Sequence, residues 1–373
     1  MDVFVYGTLR SEALQQAVAG GAKVESEAAR FAGHSVMAAS QAVAPILCVA
    51  PNDAAEGLVL LGLSQEQVHR LDLYQGVFGY ARKCAMVQTR QGKRSVQVYM
   101  ADAGGISMLE HWSFAKWQAG NEAAAVLAAT EIFAYDPMLS LQDIRQRFQM
   151  IERRSWAKLR AQGSPQETTV RHHAKAEDVT IRHAYPPHGS FFAMQSVEVD
   201  YRQFDGTRSP VVAREVFLGV DAAIVLPYDM KRDRILLVEQ MRMGAVMRQD
   251  PQPWLLEPIA GMVDGGETPE EAARRESAEE AQLHKLELRH IASFYPSPGS
   301  TTDYFYTYLG LCDLPDDHVA FGGLDAESED LRLHLMGFEA ALALVRSGEI
   351  NAGPLVMMLY WLATQRDALR AAL

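Results

Sequence analysis

Cysteine is scarce in this sequence, which has only Cys48, Cys84 and Cys312 among 373 residues. The three are odd in number, far apart and outside any CxxC pattern, so neither a disulfide framework nor a zinc site is predicted. Positive charge is also in deficit, with 35 lysines and arginines against 47 acidic residues and a formal net charge of −12. Nucleic acids and acidic membranes attract basic surfaces, so neither is expected as a partner. A small anionic substrate is not excluded, because a few carboxylates can hold metal ions that bridge to phosphate.

Long apolar runs and a basic leader are missing as well. No stretch approaches the ~20 apolar residues that span a bilayer. The first ten residues, MDVFVYGTLR, carry an acid at Asp2 and indicate a strand instead of a signal peptide. We therefore expect a cytoplasmic protein. Hydrophobic residues make up 48% of the sequence, which is typical of globular proteins, and the length predicts two or more domains.

The predicted elements divide the chain into three parts. Residues 1–105 combine strands with a helix and predict a small mixed α/β, barrel-like domain. Residues 106–170 have helical spacing and are interpreted as a helical connector. Residues 171–373 alternate strands with helices and predict an α/β/α sandwich. The fold class is α/β throughout.

Local signals support these elements. A strand at 2–6 is followed by a helix from Ser11. In the connector, Ser140 and Asp143 form a capping box at the start of a long helix. One face of that helix is basic and could bind nucleic acid, but a solvated face is the favoured interpretation in an acidic protein. The residues of this face are Arg145, Arg147, Arg153, Arg154, Lys158 and Arg160.

The third part begins with two strands, at 191–202 and 210–218, joined across the hairpin signal Asp205-Gly206. Two helices are expected to close the chain. Further strands are predicted at 222–227, 235–240, 288–294 and 305–311.

The most informative stretch is 261–283, with the sequence GMVDGGETPEEAARRESAEEAQL. On a helix, Glu276, Glu279 and Glu280 lie at i, i+3 and i+4, so their carboxylates crowd one face. Like charges this close repel one another, and divalent cations relieve the repulsion. Hard oxygen ligands in this number suit Mg²⁺, with Mn²⁺ as an alternative. By contrast, Glu270 and Glu271 are interpreted as solvent-facing.

This stretch resembles the Nudix box, in which glycine, glutamate, Arg-Glu and Glu-Glu recur at fixed offsets. Gly261, Glu267, Arg275-Glu276 and Glu279-Glu280 match it. Two positions depart from the pattern, because Ser277 replaces a hydrophobic residue and Gln282 replaces the last glycine. If the helix ends at Gln282 in the left-handed conformation, the substitution costs ~1 kcal/mol.

The flanking segments resemble the ADP-ribose pyrophosphatase branch of that family, over about 190–370. The motifs are VEQMR at 238–242, WLLEPIAG at 254–261, SPG at 297–299 and the acidic segment LDAESEDL at 324–331. The resemblance implies hydrolysis of ADP-ribose, or of a related nucleoside diphosphate sugar, to AMP and ribose 5-phosphate. It also implies a homodimer.

The resemblance assigns individual roles. Metal ligands would be Glu276, Glu279, Glu280, the Ala260 carbonyl and Glu329. Glu327 would activate water, Glu279 and Arg275 would serve catalysis, and Arg275 is expected to orient carboxylates instead of touching substrate. Substrate contacts would come from Arg214, Arg242, Met262 and Ser297. Arg242 could instead be a surface arginine and Glu327 an ordinary loop acid, while Asp303 stands where the family usually has glutamate.

The N-terminal segment Tyr6, Gly7, Thr8 and Leu9, within VFVYGTLR, resembles the signature of gamma-glutamylcyclotransferase-like domains, and LDLYQG at 71–76 resembles their second motif. The resemblance implies a ligand pocket at residues 6–9. In those enzymes a glutamate of the second motif carries the proton, and here Gln75 replaces it. An amide cannot take up that proton, so we predict a retained pocket without cyclotransferase activity.

Three functions stay open at this point. The first is an ADP-ribose pyrophosphatase whose N-terminal domain binds a ligand or supports the dimer; fusions of this kind are associated, by resemblance, with tellurite resistance. The second is a bifunctional enzyme with a live cyclotransferase, which Gln75 disfavours. The third is a non-catalytic nucleotide sensor, which the complete set of Glu276, Glu279 and Glu280 disfavours.

Overall fold

The computed structural model describes residues 1–39, 44–101, 108–164, 168–318, 321–323 and 330–372. The chain forms two compact units, Met1–Arg214 and Glu215–Leu373, called unit 1 and unit 2 below. Among the described residues, no helix has the length and apolar character needed to cross a bilayer.

In the described part of unit 1 there are ten strands, the last of which crosses the boundary between the units, and four α-helices. The strands are β1 (Val3–Val5), β2 (Ser26–Ala39), β3 (Ile46–Leu60), β4 (Tyr80–Thr89), β5 (Gly92–Ala101), β6 (Met108–His111), β7 (Val179–Ala184), β8 (His188–Gly189), β9 (Ala193–Tyr201) and β10 (Val212–Leu218). The helices are α1 (Glu12–Val18), α2 (Gln65–Val77), α3 (Phe114–Ala134) and α4 (Leu141–Gly163). Short 3₁₀ turns lie at Thr8–Arg10 and Ala176–Asp178.

The first five strands close into a barrel. Their order is β3-β1-β5-β4-β2, and β2 pairs again with β3, so the ring has no free edge. Strand β1 contributes side chains to two hydrophobic cores, one inside the barrel and one beneath the helices. It can do so because successive side chains of a strand point to opposite faces. Phe4 and Tyr6 point into the barrel with Val59 and Val98, whereas Val3 and Val5 pack toward the helices. The barrel-like domain is confirmed.

Helices α3 and α4 share the core that β1 faces. Ile132 and Ile144 are fully buried there together with Val3, so the two helices stabilise unit 1 by covering the barrel. The segment 106–170 is not helical throughout, since β6 joins the sheet beside β2 before α3 begins. A short strand of four residues has too little periodicity to be recognised in the sequence.

One basic residue of α4 is not on the solvated face, which corrects the sequence interpretation. Arg154 is 3% exposed and lies 2.6 Å from Glu131 of α3, which is 6% exposed. Its Nε also donates to Glu131 at 2.9 Å. The arginine is buried because the adjacent helix supplies a carboxylate, and a single-helix pattern contains no sign of that partner.

Strands β7, β8 and β9 form a separate sheet in unit 1. The predicted turn after β9 is formed, with the Gln203 amide donating to the Thr207 carbonyl at 2.8 Å. Asp200 is 2% exposed and is held by Arg182 and Arg208. These ion pairs link the two ends of the hairpin to β7.

Unit 2 is built on one mixed sheet with the order β15-β16-β11-β12-β18-β17, in which β13 pairs with β12 and β14 with β11. Its strands are β11 (Asp221–Asp229), β12 (Arg234–Met241), β13 (Trp254–Glu257), β14 (Ile259–Met262), β15 (Glu287–Phe294), β16 (Tyr304–Leu311), β17 (Phe321–Gly322) and β18 (Leu331–Gly337). Its helices are α5 (Met243–Met247), α6 (Pro269–Ala281), α7 (Phe338–Ser347) and α8 (Gly353–Ala371).

The central strand β11 separates two hydrophobic cores. Ala223 and Val225 face α6, whereas Ile224 and Leu226 face α7 and α8. This strand is buried on both faces, as expected for a sheet covered by helices on each side. The α/β/α sandwich predicted for the C-terminal part is confirmed.

Candidate active site

Helix α6 starts at a strong local signal. The Thr268 hydroxyl accepts a hydrogen bond from the Glu271 main-chain amide at 3.2 Å. The Glu271 carboxylate in turn accepts one from the Thr268 main-chain amide at 2.8 Å. Pro269 occupies the first turn, where its missing N–H costs nothing. Glu271 is therefore a capping residue, and Glu270 pairs with Arg274 on the exposed face at 2.8 Å. Neither belongs to the site.

The three acids predicted to bind metal lie on α6 as their spacing requires. Glu280 is 2% exposed, Glu276 is largely buried, and Glu279 is about one-third exposed at its side chain. The acids therefore run from solvent to interior along one helix face. Carboxylates shielded from water interact more strongly with a cation than exposed ones do.

Arg275 is hydrogen-bonded to several acidic side chains of the site. Its Nη1 donates to Glu276 at 2.6 Å and to Glu279 at 3.1 Å. Its Nη2 donates to the Met262 carbonyl at 3.0 Å, at the end of β14. Hydrogen bonds to Glu267, with Glu276 close by, raise the pKa of Arg275, so its charge is fixed at any physiological pH. These contacts are those expected of a residue that orients the carboxylates.

Glu267 was in the sequence motif but was not singled out for a role. Both its oxygens accept from Arg275, at 3.0 Å from Nε and 2.9 Å from Nη2. The same carboxylate accepts from the Asp264 amide at 3.1 Å. Glu267 therefore ties the loop before α6 to the helix. Its fixed spacing from Arg275 is the signal that could have identified it.

Gly261 allows the acidic face to approach β14. A Cβ at this position would lie 1.8 Å from the carboxyl carbon of Glu276, which is closer than any real contact. Gly261 is paired with Ala223 of β11, and Ala260 beside it with Ile224. The Glu276 carboxylate can therefore lie against the strand that carries the Ala260 carbonyl.

The residues present fit a divalent metal ion. They offer hard oxygens, namely carboxylates and a nearby main-chain carbonyl, and a glycine cradle that only a carboxylate fills. Within the described ranges, no three acidic, histidine or cysteine side chains are arranged so that they could hold a metal ion. The carboxylates of Glu276 and Glu279 accept hydrogen bonds from Arg275.

The two departures from the motif have local explanations. Ser277 is fully buried, and its hydroxyl donates to the Ala273 carbonyl at 2.7 Å, which satisfies it within the helix. Gln282 ends the helix with φ 55° and ψ 28°, the left-handed conformation expected for the usual glycine. Both substitutions are therefore accommodated locally, one within α6 and one at its end.

The predicted substrate residues have different surroundings. Arg242 donates to Glu257 of β13 at 2.6 Å and is about 40% exposed, so it is an ion-paired side chain. The sequence alone indicates no role for Glu257, because its partner Arg242 lies 15 residues away in the chain. Arg214 is exposed and donates to the Ala213 carbonyl, and the Ser297 hydroxyl is bonded to Ser300 at 2.8 Å.

Asp303 has a structural position. Its carboxylate accepts from the Val220 amide at 3.1 Å and from the Thr301 hydroxyl at 2.7 Å. A Cβ on Gly219 would lie 1.7 Å from Asp303 Oδ1. Asp303 therefore anchors the start of β11. The two loop acids, Glu327 and Glu329, lie outside the described residues.

The N-terminal motif lines a cavity of about 20 Å³ in unit 1. Tyr6, Gly7, Thr8 and Leu9 border it together with Gln75. The Tyr6 hydroxyl donates to the Tyr99 carbonyl at 2.9 Å, and Leu9 is 1% exposed. A cavity of this size holds about one water molecule. The motif residues and Gln75 are brought together, but around a very small space.

Two family models match the chain, one in its C-terminal half and one near its N-terminus. The family model of the NUDIX domain matches residues 218–356. The family model described as gamma-glutamyl cyclotransferase, AIG2-like, matches residues 3–119.

The curated relatives that match the C-terminal half include pyrophosphatases of two kinds. An ADP-ribose pyrophosphatase of Haemophilus influenzae is 36% identical over 51% of this chain and 88% of its own. An ADP-ribose pyrophosphatase of Escherichia coli K12 is 38% identical over 48% and 85%. A GDP-mannose pyrophosphatase of Escherichia coli is 29% identical over 47% and 90%.

Enzymes with this domain generally use divalent metals, which agrees with the oxygen-rich face of α6. The matched region contains the loop, the helix and the Arg275-centred cluster described above. The N-terminal region carries a gamma-glutamylcyclotransferase-like domain. From its similarity to these relatives and the intact charged positions of its site, the chain belongs to the Nudix hydrolase family.

Proposed function

We propose that this protein hydrolyses the pyrophosphate of ADP-ribose to AMP and ribose 5-phosphate. The observation that carries the proposal is the Arg275 cluster, in which one guanidinium holds Glu267, Glu276 and Glu279 within 3.1 Å. Relatives named as ADP-ribose pyrophosphatases, at 36–38% identity, support the substrate. Mg²⁺ is the proposed ion, with Mn²⁺ as the alternative.

The proposed metal ligands are Glu276, Glu279, Glu280, Glu329 and the Ala260 carbonyl. A bound divalent ion supplies charge neutralisation at the pyrophosphate and a more acidic water. Arg275 holds Glu276 and Glu279 together on one face of α6 through hydrogen bonds to both carboxylates.

The remaining roles fall to residues beside the metal site. We assign to Glu327 the role of accepting the proton from the attacking water. This role requires a carboxylate within hydrogen-bond reach of that water. Arg242 and Arg214 suit the substrate's phosphates, because a guanidinium binds phosphate oxygens in a bidentate manner. Met262 and Ser297 are proposed to complete the substrate contacts.

A second candidate substrate is another nucleoside diphosphate sugar, favoured by the relative named as a GDP-mannose pyrophosphatase. A hydrolysis screen with Mg²⁺ separates the two. ADP-ribose, GDP-mannose, ADP-glucose and NADH are supplied at equal concentration, and AMP or GMP release is measured. We expect kcat/KM for ADP-ribose to exceed the others by at least tenfold, and a preference for GDP-mannose would overturn the assignment.

Matched variants on α6 test the site itself. Glu279→Gln removes one proposed ligand, and we expect kcat to fall by ~100-fold or more. Glu270→Gln is the control, because Glu270 lies on the exposed face of the same helix and pairs with Arg274. Equal activity of the two variants would contradict the placement of the site on α6.

A homodimer is the proposed assembly. Unit 2 exposes apolar side chains around α5 and β13: Met241, Met243, Val246, Met247 and Trp254. A contiguous exposed apolar patch is typical of an interaction surface. Light scattering after size exclusion should give about twice the 41.3 kDa chain mass. Met247→Lys, at a residue 76% exposed, should shift the mass toward the monomer, with Arg346→Glu on α7 as a surface control.

The N-terminal domain is proposed to be inactive as a cyclotransferase. Gln75 lies beside Tyr6, Gly7, Thr8 and Leu9. By the resemblance it replaces the proton-carrying glutamate, and an amide cannot take up the proton. The wild type should form no 5-oxoproline from γ-glutamyl substrates, while Gln75→Glu is expected to gain some. Robust wild-type activity would establish the bifunctional alternative.

A further inference from the structure

A second cavity in unit 1 is much larger than the one at the N-terminal motif. It encloses about 450 Å³, against about 20 Å³ at the motif, and Thr8 borders both. Small-molecule sites are commonly 300–1,000 Å³. The volume of the larger cavity therefore lies within the usual range of a small-molecule site.

The cavity exists because one of its helical walls has short side chains. Helix α3 presents Asn121, Ala124, Ala125 and Ala128 to it, at spacings of three and four residues that put them on one face. Opposite lie the large side chains of α4, Phe148 and Trp156 among them. The space left by the short side chains of α3 is therefore bordered by aromatic side chains of α4.

Aromatic rings form much of the remaining wall. Trp112 and Trp117 lie with ring centroids 6.3 Å apart, and Phe78 and Phe148 meet edge to face at 4.9 Å. Together with Trp156, three of the five tryptophans of the chain line this one cavity. Tryptophan faces and edges favour another planar ring over an aliphatic chain of equal size.

Polar groups of both signs border the same cavity. Asn121 offers an amide that can both donate and accept, while Lys116 and Glu152 bring opposite charges. Lys116 and Asn121 are exposed, so the polar substituents of a ring bound in the cavity can contact them.

We propose that this cavity binds a small planar aromatic compound that carries polar substituents, of the size of a purine nucleoside or an aromatic amino acid. The ring stacks among Trp112, Trp117 and Trp156, and its substituents reach Asn121 and Lys116. The site is separate from the Nudix reaction and does not depend on the proposed substrate. It also differs from the motif cavity at Gln75, where there is space for about one water.

Calorimetric titration of the full chain with adenosine and with L-tryptophan tests the proposal and distinguishes the two sources. We expect one of them to bind with a Kd below about 1 mM, and cyclohexylalanine, which has no planar ring, to bind at least tenfold more weakly than L-tryptophan if the amino acid is the ligand. Absence of binding by both probes would overturn the proposal.

Variants on α3 locate the binding. Ala125→Phe fills the cavity and should weaken binding at least tenfold, while Ala123→Phe, on the exposed side of the same helix, should leave it unchanged. Asn121→Ala is a milder second variant and should weaken binding several-fold. Pyrophosphatase activity should be the same in all three. Binding that Ala125→Phe and Asn121→Ala leave unaltered lies elsewhere and refutes the assignment.

Discussion

Arg275 and Glu267 are joined by two parallel hydrogen bonds, from Nε to Oε1 at 3.0 Å and from Nη2 to Oε2 at 2.9 Å. The pair links the loop before α6 to the helix face that carries Glu276 and Glu279. A two-pronged contact of this kind fixes orientation as well as distance. The loop and the acidic face therefore behave as one unit.

Arg275→Lys should lower kcat/KM by at least tenfold, or ~1.4 kcal/mol, because an ammonium cannot make both parallel bonds. The matched control is Arg274→Lys, whose side chain pairs with Glu270 on the exposed face. Steady-state kinetics with ADP-ribose provide the measurement. The double variant with Glu267→Gln should cost less than the sum of the two single changes, since both remove the same contact. Full additivity would show that the two residues act separately.

Gln282→Gly should stabilise the protein by up to about 1 kcal/mol, because Gln282 has φ 55°, a conformation that glycine adopts at little cost. Thermal or urea denaturation measures the change, and activity should stay the same. Gln365→Gly is a control that should lower the stability instead of raising it. That residue is exposed in the interior of α8, where glycine costs about 1 kcal/mol.

Glu131→Gln should destabilise unit 1 by about 3 kcal/mol, because it leaves the buried Arg154 guanidinium without its counter-charge. The amide keeps the shape of the carboxylate, so loss of packing does not account for the effect. Glu122→Gln on the same helix, where the side chain accepts only from Gln118, should cost less than 0.5 kcal/mol. Similar losses in both variants would mean that the buried pair contributes little.

Stability should fall in acid. The pKa of Asp233 is lowered by its hydrogen bond from Arg366, and that of Asp178 by the Lys175 amide, His172 and Arg202. A carboxyl with a depressed pKa is ionised in the folded protein at a pH where the unfolded chain takes up a proton. This stabilisation is present above about pH 4, the ordinary range for aspartate, and is lost as pH falls through the lower folded values. Urea midpoints between pH 7 and pH 2 measure it, and Asp233→Asn should flatten the slope.

The loop and helix of the active site were predictable because their signals are local. The positions of Glu267, Arg275 and Glu280 follow from fixed spacing, and the capping box at Thr268 is contained in four residues. Gln282 ends the helix in the left-handed conformation that the usual glycine of the motif favours.

Features that depend on distant partners were not predictable. Arg242 pairs with Glu257 on another strand, and Arg154 is buried because α3 supplies Glu131. The closure of the barrel between β2 and β3 and the short strand β6 also had no local signal. Each depends on residues that meet only when the chain has folded.

Strand β1 has a consequence for the order in which unit 1 can fold during synthesis. Its three residues pair with Leu58–Leu60 on one side and with Gln97 and Val98 on the other. Both neighbours emerge from the ribosome long after β1 itself, and chains grow at about 5–20 residues per second. Strand β1 therefore stays unpaired for several seconds after it is made, and its apolar sequence VFV must be shielded by other means during that time.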